Sequence, residues 1–400
     1  MVNRRDILKA AGVGAIAAGI PRIALTQANT DARFVLVILR GAADGLALAA
    51  PYGDGNYTKV RGELALPPPA RDGGLLKLDG MFGLHPSLPG IFAEYEKQQA
   101  LVCHAIASPY RERSHFDGQD VLENGAAAVG LLRDGWLNRA LAPLGGALGD
   151  EAAIAMAQNT PLVLRGNNSV TSWAPSQLPD ADDSTLHRLQ DLYAEDEFFA
   201  TRLAQALKSQ EIADGEAAIG QMRSRGNEAE QLRTMMQATA RFLTADDGPR
   251  IAVLEAGGWD THANQGTTSG ALANRLAGLD GGLTALRDEL GPTWSRTVVA
   301  VVTEFGRTVA VNGTRGTDHG TASAALLVGG AVNGGRVVAE WPGLAKSDLF
   351  EDRDLRPTAD VRSLFKGVLA DHLALSGAFL DRTVFPDSTT ARPMRDLVRA

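Results

Sequence analysis

A single cysteine, Cys103, in 400 residues excludes an intrachain disulfide framework and any metal site built from several thiolates. It lies in the apolar run Leu101 to Ile106, where a free thiol serves as a small core residue. There is also no Lys/Arg-rich block, and the formal net charge is −8. Phosphate contacts need clustered positive charge, so a nucleic-acid surface is set aside. A long hydrophobic run is missing as well. The weakly apolar stretch Ala10 to Ile20 is broken by Gly12, Gly14 and Gly19 and ends at Pro21-Arg22, short of the roughly 20 residues that a bilayer requires. No stable membrane span is expected. Ahead of that stretch stands Arg4-Arg5-Asp6-Ile7-Leu8-Lys9. We read residues 1–28 as a twin-arginine signal cleaved near Ala28, which makes the twin-arginine export machinery a partner and the destination periplasmic or secreted. The alternative for this segment is a buried or amphipathic helix that carries two arginines.

What is present is glycine, 44 residues of it against the roughly 7% usual, in short pairs that suit tight strand-to-helix turns. Apolar runs at Phe34 to Leu39, Leu101 to Ile106, Ile251 to Glu255, Val298 to Thr303 and Ala324 to Val328 fit strands buried on both faces. A helical stretch from Ala271 to Leu290 lies between two of them and predicts a βαβ unit. Residues 184–243, rich in Ala, Leu, Glu, Gln and Arg, read as two or three amphipathic helices inserted into the domain. The expected fold is a single α/β domain over 29–400 with a mainly parallel sheet and helices on both faces.

In such sheets ligands collect at the carboxyl ends of strands. Four motifs stand there: Asp44 after the first strand, Gly257-Gly258-Trp259-Asp260-Thr261-His262 after the Ile251 run, Thr303-Glu304-Phe305-Gly306-Arg307 after the Val298 run, and Thr317-Asp318-His319-Gly320 before the Ala324 run. Asp44, Asp260, His262, Glu304, Asp318 and His319 form a carboxylate and imidazole set that suits one or two ions of Zn, Mn, Fe or Mg. Each motif also has a structural reading: Asp260 as a turn cap, Glu304 as the ion-pair partner of Arg307, Asp318 as the brace of a glycine-rich loop. Convergence of several acids without a cation would be repulsive, which favours the metal reading for the set. Ser114, in Arg113-Ser114-His115-Phe116-Asp117, is read both as a helix N-cap and as a nucleophile favoured by the positive end of the helix dipole. Arg113 and Arg111 are candidate contacts for an anionic substrate or simply surface arginines. His115 is a further ligand or an acid/base group. His85, in Gly83-Leu84-His85-Pro86, is an entry-loop candidate, and His104 a core histidine.

Taken together with the twin arginine, Leu39-Arg40-Gly41-Ala42-Ala43-Asp44-Gly45 and the other motifs quoted, the mature chain resembles a secreted bacterial "domain of unknown function" family grouped with the alkaline phosphatase and sulfatase superfamily. The resemblance implies a three-layer α/β/α sandwich, a binuclear metal site, and a Ser, Thr or Cys nucleophile at the start of a helix, a place Ser114 occupies. It implies that Asp44 bridges metal and nucleophile, that Asp260, His262 and His319 belong to one metal, and that Glu304 belongs to the other. Two departures matter. Glu304 is followed by Phe305 where the superfamily commonly has a histidine, so one metal position is weak, differently filled or absent, and His115 is the candidate substitute. The spacing from Asp260 to His262 is also shorter than usual. The implied activity is hydrolysis of phosphate or sulfate esters, on an anionic small molecule or polysaccharide, with Ser114 and His115 catalytic and Arg113 binding substrate. The competing expectation is a non-catalytic exported binding or assembly protein that keeps the fold and one metal; an isomerase or transferase using the same metals is a third.

Overall fold

The computed structural model describes residues 31–144, 152–175, 183–214 and 228–399; the signal expected at 1–28 lies outside the described residues. In chain order the strands are β1 (Arg33–Leu39), β2 (Ala49–Ala50), β3 (Leu76–Lys77), β4 (Gly83–Leu84), β5 (Ala100–Ala107), β6 (Ala153–Ala155), β7 (Thr171–Ser172), β8 (Ile251–Ala256), β9 (Thr297–Thr303), β10 (Ser323–Val328), β11 (Arg336–Val338) and β12 (Ala359–Asp360). Nine of them form one sheet in the order β11-β5-β10-β9-β1-β8-β6-β7, with β12 also on β5, while β2, β4 and β3 make a small antiparallel sheet. Every pairing in the large sheet is parallel except the two made by β10.

Strand β1 shows why the sheet sits in the middle. Its side chains alternate between two separate cores: Phe34, Leu36 and Ile38 in one, Val35, Val37 and Leu39 in the other. Alternation with apolar residues on both faces is what a strand covered on both sides requires. Sealing each such aliphatic side chain from water contributes roughly 1.5–3 kcal/mol. Helices Trp136–Leu141 and Val361–Leu373 cover the first face. Helices Pro89–Glu96, Glu228–Thr244 and Ala271–Leu290 cover the second. The result is the three-layer α/β/α sandwich with a mainly parallel sheet. Helices Asp183–Tyr193, Glu197–Asp214 and Glu228–Thr244 occupy the expected inserted region. The Ala271–Leu290 helix connects β8 to β9 as expected, but β1 lies between those two strands and pairs with both.

The topology gathers the motifs at one edge. β1, β5, β8 and β9 run in the same direction, so the segments after Leu39, Ala107, Ala256 and Thr303 emerge together. β10 runs the opposite way, which places the segment that precedes it, carrying His319, at that edge too. Cys103 is buried in β5 with a free thiol. Among the described residues no helix is long and apolar enough to cross a membrane.

Candidate metal centre

His115 opens the helix His115–Asn124, whose N-cap position is Ser114. Ser114 thus takes the expected N-cap position, but its hydroxyl makes no capping bond; its backbone N–H donates to Tyr110 Oη at 3.1 Å. The His115 ring is fixed from two sides. Nδ1 lies 2.8 Å from Glu304 Oε1, and Phe305 stacks on the ring with centroids 5.1 Å apart. With Nδ1 donating to the carboxylate, Nε2 keeps its lone pair, and this buried atom has no hydrogen-bond partner.

His319 is held in the same manner. Its Nδ1 lies 2.9 Å from the carbonyl of Arg113, which leaves Nε2 directed at Asp260 Oδ1, 3.3 Å away. Phe305 also packs on this ring, at 5.2 Å. His262 repeats the pattern, with Nδ1 3.2 Å from Asp318 Oδ1 and Nε2 3.1 Å from Asp260 Oδ1. The Nε2 atoms of His262 and His319 face each other at 3.0 Å, and Asp260 Oδ2 lies 3.6 Å from His115 Nε2. Three imidazoles therefore turn lone-pair nitrogens toward one carboxylate, each with its other nitrogen held by an acceptor. This is the way histidines are oriented for a metal. Ligand atoms of His115, Asp260 and His319 all lie within 4.8 Å of one another. The orphaned Nε2 of His115 and the mixed N/O donor set fit a divalent cation such as Zn, Mn or Fe.

The electrostatic shifts in the cluster run in both directions. Burial opposes ionisation of Asp260, but the hydrogen bond and charge of Arg307 outweigh it and hold the carboxyl below its ordinary range. The hydrogen bond to Glu304 raises the His115 imidazole, whereas burial lowers that of His319. For Glu304, burial is again the largest influence and acts upward, yet the bonds from His115, its own backbone N–H, Gln119 and Gly41 bring the carboxyl below the ordinary value. The bond from Asn312 lowers Asp318.

Not every residue of the expected ligand set joins this cluster. Glu304 stands behind His115: Oε1 accepts from Gly41 N at 2.8 Å, His115 Nδ1 at 2.8 Å and Gln119 Nε2 at 3.1 Å, and Oε2 from Thr303 Oγ1 at 2.9 Å. Asp318 stands behind His262 and also accepts from Asn312 Nδ2 at 3.0 Å. Asp44 lies deeper still. It caps the short helix Gly45–Leu48 with Oδ1, while Oδ2 accepts from Arg61 and, at 2.7 Å, from Gln265 Nε2. The Arg113 guanidinium is engaged by Asp354, at 2.8 Å, and by Glu351, and Arg111 donates to the carbonyls of Ser108 and Tyr110. His85 is buried, with Nε2 2.9 Å from Thr267 O.

Arg307 was legible only as a possible partner of Glu304, and the structure corrects this: Nη1 donates to Asp260 Oδ1 at 2.7 Å and Nε to Thr317 Oγ1 at 3.1 Å. Thr317 Oγ1 and Thr261 Oγ1 donate to Gln265 Oε1 at 2.9 and 2.8 Å. A buried chain of hydrogen bonds thus connects Arg61 and Asp44 to Asp260 through Gln265, Thr317 and Arg307. Thr317 stands in the Thr317-to-Gly320 motif, but neither Arg61 nor Gln265 carries a distinctive sequence signal. Beside Asp260, a cleft of about 1220 Å³ opens between the Gly257-to-Thr261 segment and the helices Glu228–Thr244 and Ala271–Leu290.

Fold and site together define a three-layer α/β protein with a histidine-rich candidate cation site at the ends of its central strands. The chain belongs to the family described as "Protein of unknown function (DUF1501)", whose pattern it matches over residues 31–384. No curated protein sequence matches it. Among solved structures it is similar to the C-terminal periplasmic domain of EcEptC from Escherichia coli in complex with Zn, at 10% identity and a TM-score of 0.42, covering 91% of this chain and 88% of that one. It is also similar to Ps i-CgsB in complex with k-i-k-neocarrahexaose, at 12% identity and a TM-score of 0.43, covering 91% of this chain and 77% of that one. A third is the phosphonate monoester hydrolase of Agrobacterium radiobacter, at 12% identity and a TM-score of 0.37, covering 86% of this chain and 74% of that one.

Proposed function

We propose that this protein is an exported, metal-dependent hydrolase of phosphate or sulfate esters, working outside the cytoplasm after twin-arginine export. The observation that supports this most is the convergence of His115, His262 and His319 on Asp260, with each Nδ1 already engaged. A bound divalent cation would supply positive charge to an ester oxygen and to the attacking group. His115, His262, His319 and Asp260 would hold it, with Glu304, Asp318 and the Arg113 carbonyl fixing the rings.

Ser114 is the nucleophile of this reading. It precedes His115 directly, and its hydroxyl is not used in capping. Its oxygen forms a bond to phosphorus or sulfur, the alcohol leaves with the proton that the serine gives up, and water then hydrolyses the seryl ester and restores the hydroxyl. The cleft beside Asp260 suits the alcohol portion. Among the described residues its walls carry Glu228, Glu255 and Asp260 against one cation, Arg275, a lining that favours a neutral, hydroxyl-rich group over a second anion.

The test is an assay of aryl and sugar phosphate and sulfate esters with protein purified without chelator and reloaded with Zn²⁺ or Mn²⁺. Turnover that disappears on chelation and in Ser114→Ala supports the proposal, and turnover that survives Ser114→Ala rules out the nucleophile. One observation favours the second reading, a non-catalytic binding or assembly protein: the guanidiniums of Arg111 and Arg113 are both committed to protein acceptors. Metal binding without turnover on any ester would support that reading.

A further inference from the structure

The pair Arg61 and Asp44 determines how many cations this site can take. Asp44 is 1% exposed and Arg61 is fully buried. A carboxylate that ligates a metal needs an oxygen lone pair free to face it, and Asp44 has none to spare. Oδ1 accepts from the backbone N–H groups of Leu46 and Ala47 at 3.1 and 3.3 Å, and Oδ2 accepts from Arg61 and from Gln265. Arg61 is anchored on its other side, where Nη1 donates to the carbonyls of Thr308 and Val309, both at 3.3 Å. It has no exposed surface through which to withdraw.

We propose that this protein holds one divalent cation, at His115, His262, His319 and Asp260, and that the Arg61 guanidinium occupies the place at Asp44 that a binuclear centre would give to a second. The proposal rests on the metal reading of the previous subsection. The carboxylate expected to serve a second ion, Glu304, is likewise saturated by Gly41, His115, Gln119 and Thr303. A cation entering beside Asp44 would meet a buried guanidinium of the same sign and would strip it of the carboxylate it pairs with. The fixed charge of Arg61 does not have to be loaded or retained. Through Gln265, Thr317 and Arg307 the Arg61–Asp44 pair also braces Asp260, which makes both members positioning residues for the single cation.

The experiment is elemental analysis of the full protein after saturation with Zn²⁺, and separately with Mn²⁺, followed by gel filtration. About one equivalent per chain is expected. Two equivalents would overturn the single-cation proposal and leave the hydrolase reading standing, whereas none with either ion would overturn both. Asp44→Asn should retain its single equivalent with weakened affinity, and His319→Ala should lose it. Loss of the whole equivalent in a folded Asp44→Asn protein would make Asp44 a ligand and refute the assignment. Should Asp44→Asn fail to fold, Arg61→Lys, which preserves the charge, is expected to keep one equivalent; loss of that equivalent in the folded variant would refute the assignment.

Discussion

Glu304 Oε1 lies 2.8 Å from His115 Nδ1, and this contact fixes which nitrogen of His115 carries the proton. The other nitrogen, Nε2, is left with a lone pair and no protein partner. A carboxylate fully enclosed by protein thereby orients the proposed ligand His115 from behind. Phe305, the next residue in the chain, presses on the same ring, so two adjacent side chains set both the tautomer and the plane of the imidazole.

Glu304→Gln tests that control. Glutamine retains the shape but cannot accept in the same charge-assisted manner, and the expected result is a fall in metal affinity of roughly 10–100-fold, read by competition with a chelator. The far-UV circular dichroism should be unchanged. An unaltered affinity would detach Glu304 from the centre.

Breaking the Arg61–Asp44 pair should reduce stability more than metal content. Arg61→Ala leaves a buried carboxylate without its counter-charge, and a loss of about 3–5 kcal/mol is expected, measured by urea unfolding of the apo forms. Replacing both residues with apolar side chains of similar volume should restore part of that loss. A double variant as unstable as the single would show that the ion pair itself stabilises the fold.

Gly41 sits at a backbone position only glycine fills without strain. Its φ is +118°, and a Cβ there would lie 2.7 Å from the backbone nitrogen of Asp260. Gly41→Ala should therefore displace the Asp260 segment, lower metal affinity and cost on the order of 1–3 kcal/mol in stability. Calorimetry with and without Zn²⁺ separates the two effects.

The acid limb of the stability curve should contain a contribution from His104. Burial pushes this imidazole from its ordinary 6.5 down to about 4, against the bonds it makes to the carbonyls of Ala49 and Gly45. On lowering the pH through 6.5 the unfolded chain takes up a proton that the folded chain refuses until about 4, so stability falls across that window and then levels off. The shift corresponds to a loss on the order of 3 kcal/mol. His85 and His372, also lowered by burial, act in the same direction. Unfolding free energies from pH 7 to 4 should fall less steeply in His104→Gln than in the parent protein. Equal slopes would show that His104 is not the source.

Much of the scaffold was legible because the central strands are apolar on both faces and the Ala271–Leu290 helix is bounded by Gly270 and Gly291. The expected runs fall short of the observed strands by one or two residues at their ends. The emergence of Asp260, His262 and Glu304 at one edge follows from parallel strand direction, whereas His319 precedes its strand and reaches that edge only because β10 is reversed, which nothing in the sequence announced. The allocation of roles did not follow from strand direction. Whether a carboxylate faces a metal or supports a histidine depends on which donors reach it, and the donors to Asp44 come from Arg61 and Gln265, in segments with no motif. The histidine absent after Glu304 is explained in the same terms: His115 reaches Glu304 from another strand-to-helix connection, and Phe305 takes the vacated position as a wall for the rings.

The single reversed strand, β10, has a consequence for how the centre comes into being during synthesis. Because His319 is delivered by the segment before β10, the last imidazole is made some 200 residues after the first, and its Nδ1 is fixed by the carbonyl of Arg113, which has been waiting since early in translation. A nascent chain that ends before His319 has two of the three imidazoles, and one that ends before β10 lacks the strand that carries the third to this edge. A cation held by all three imidazoles, as proposed above, would therefore be loaded late and would report a finished sheet.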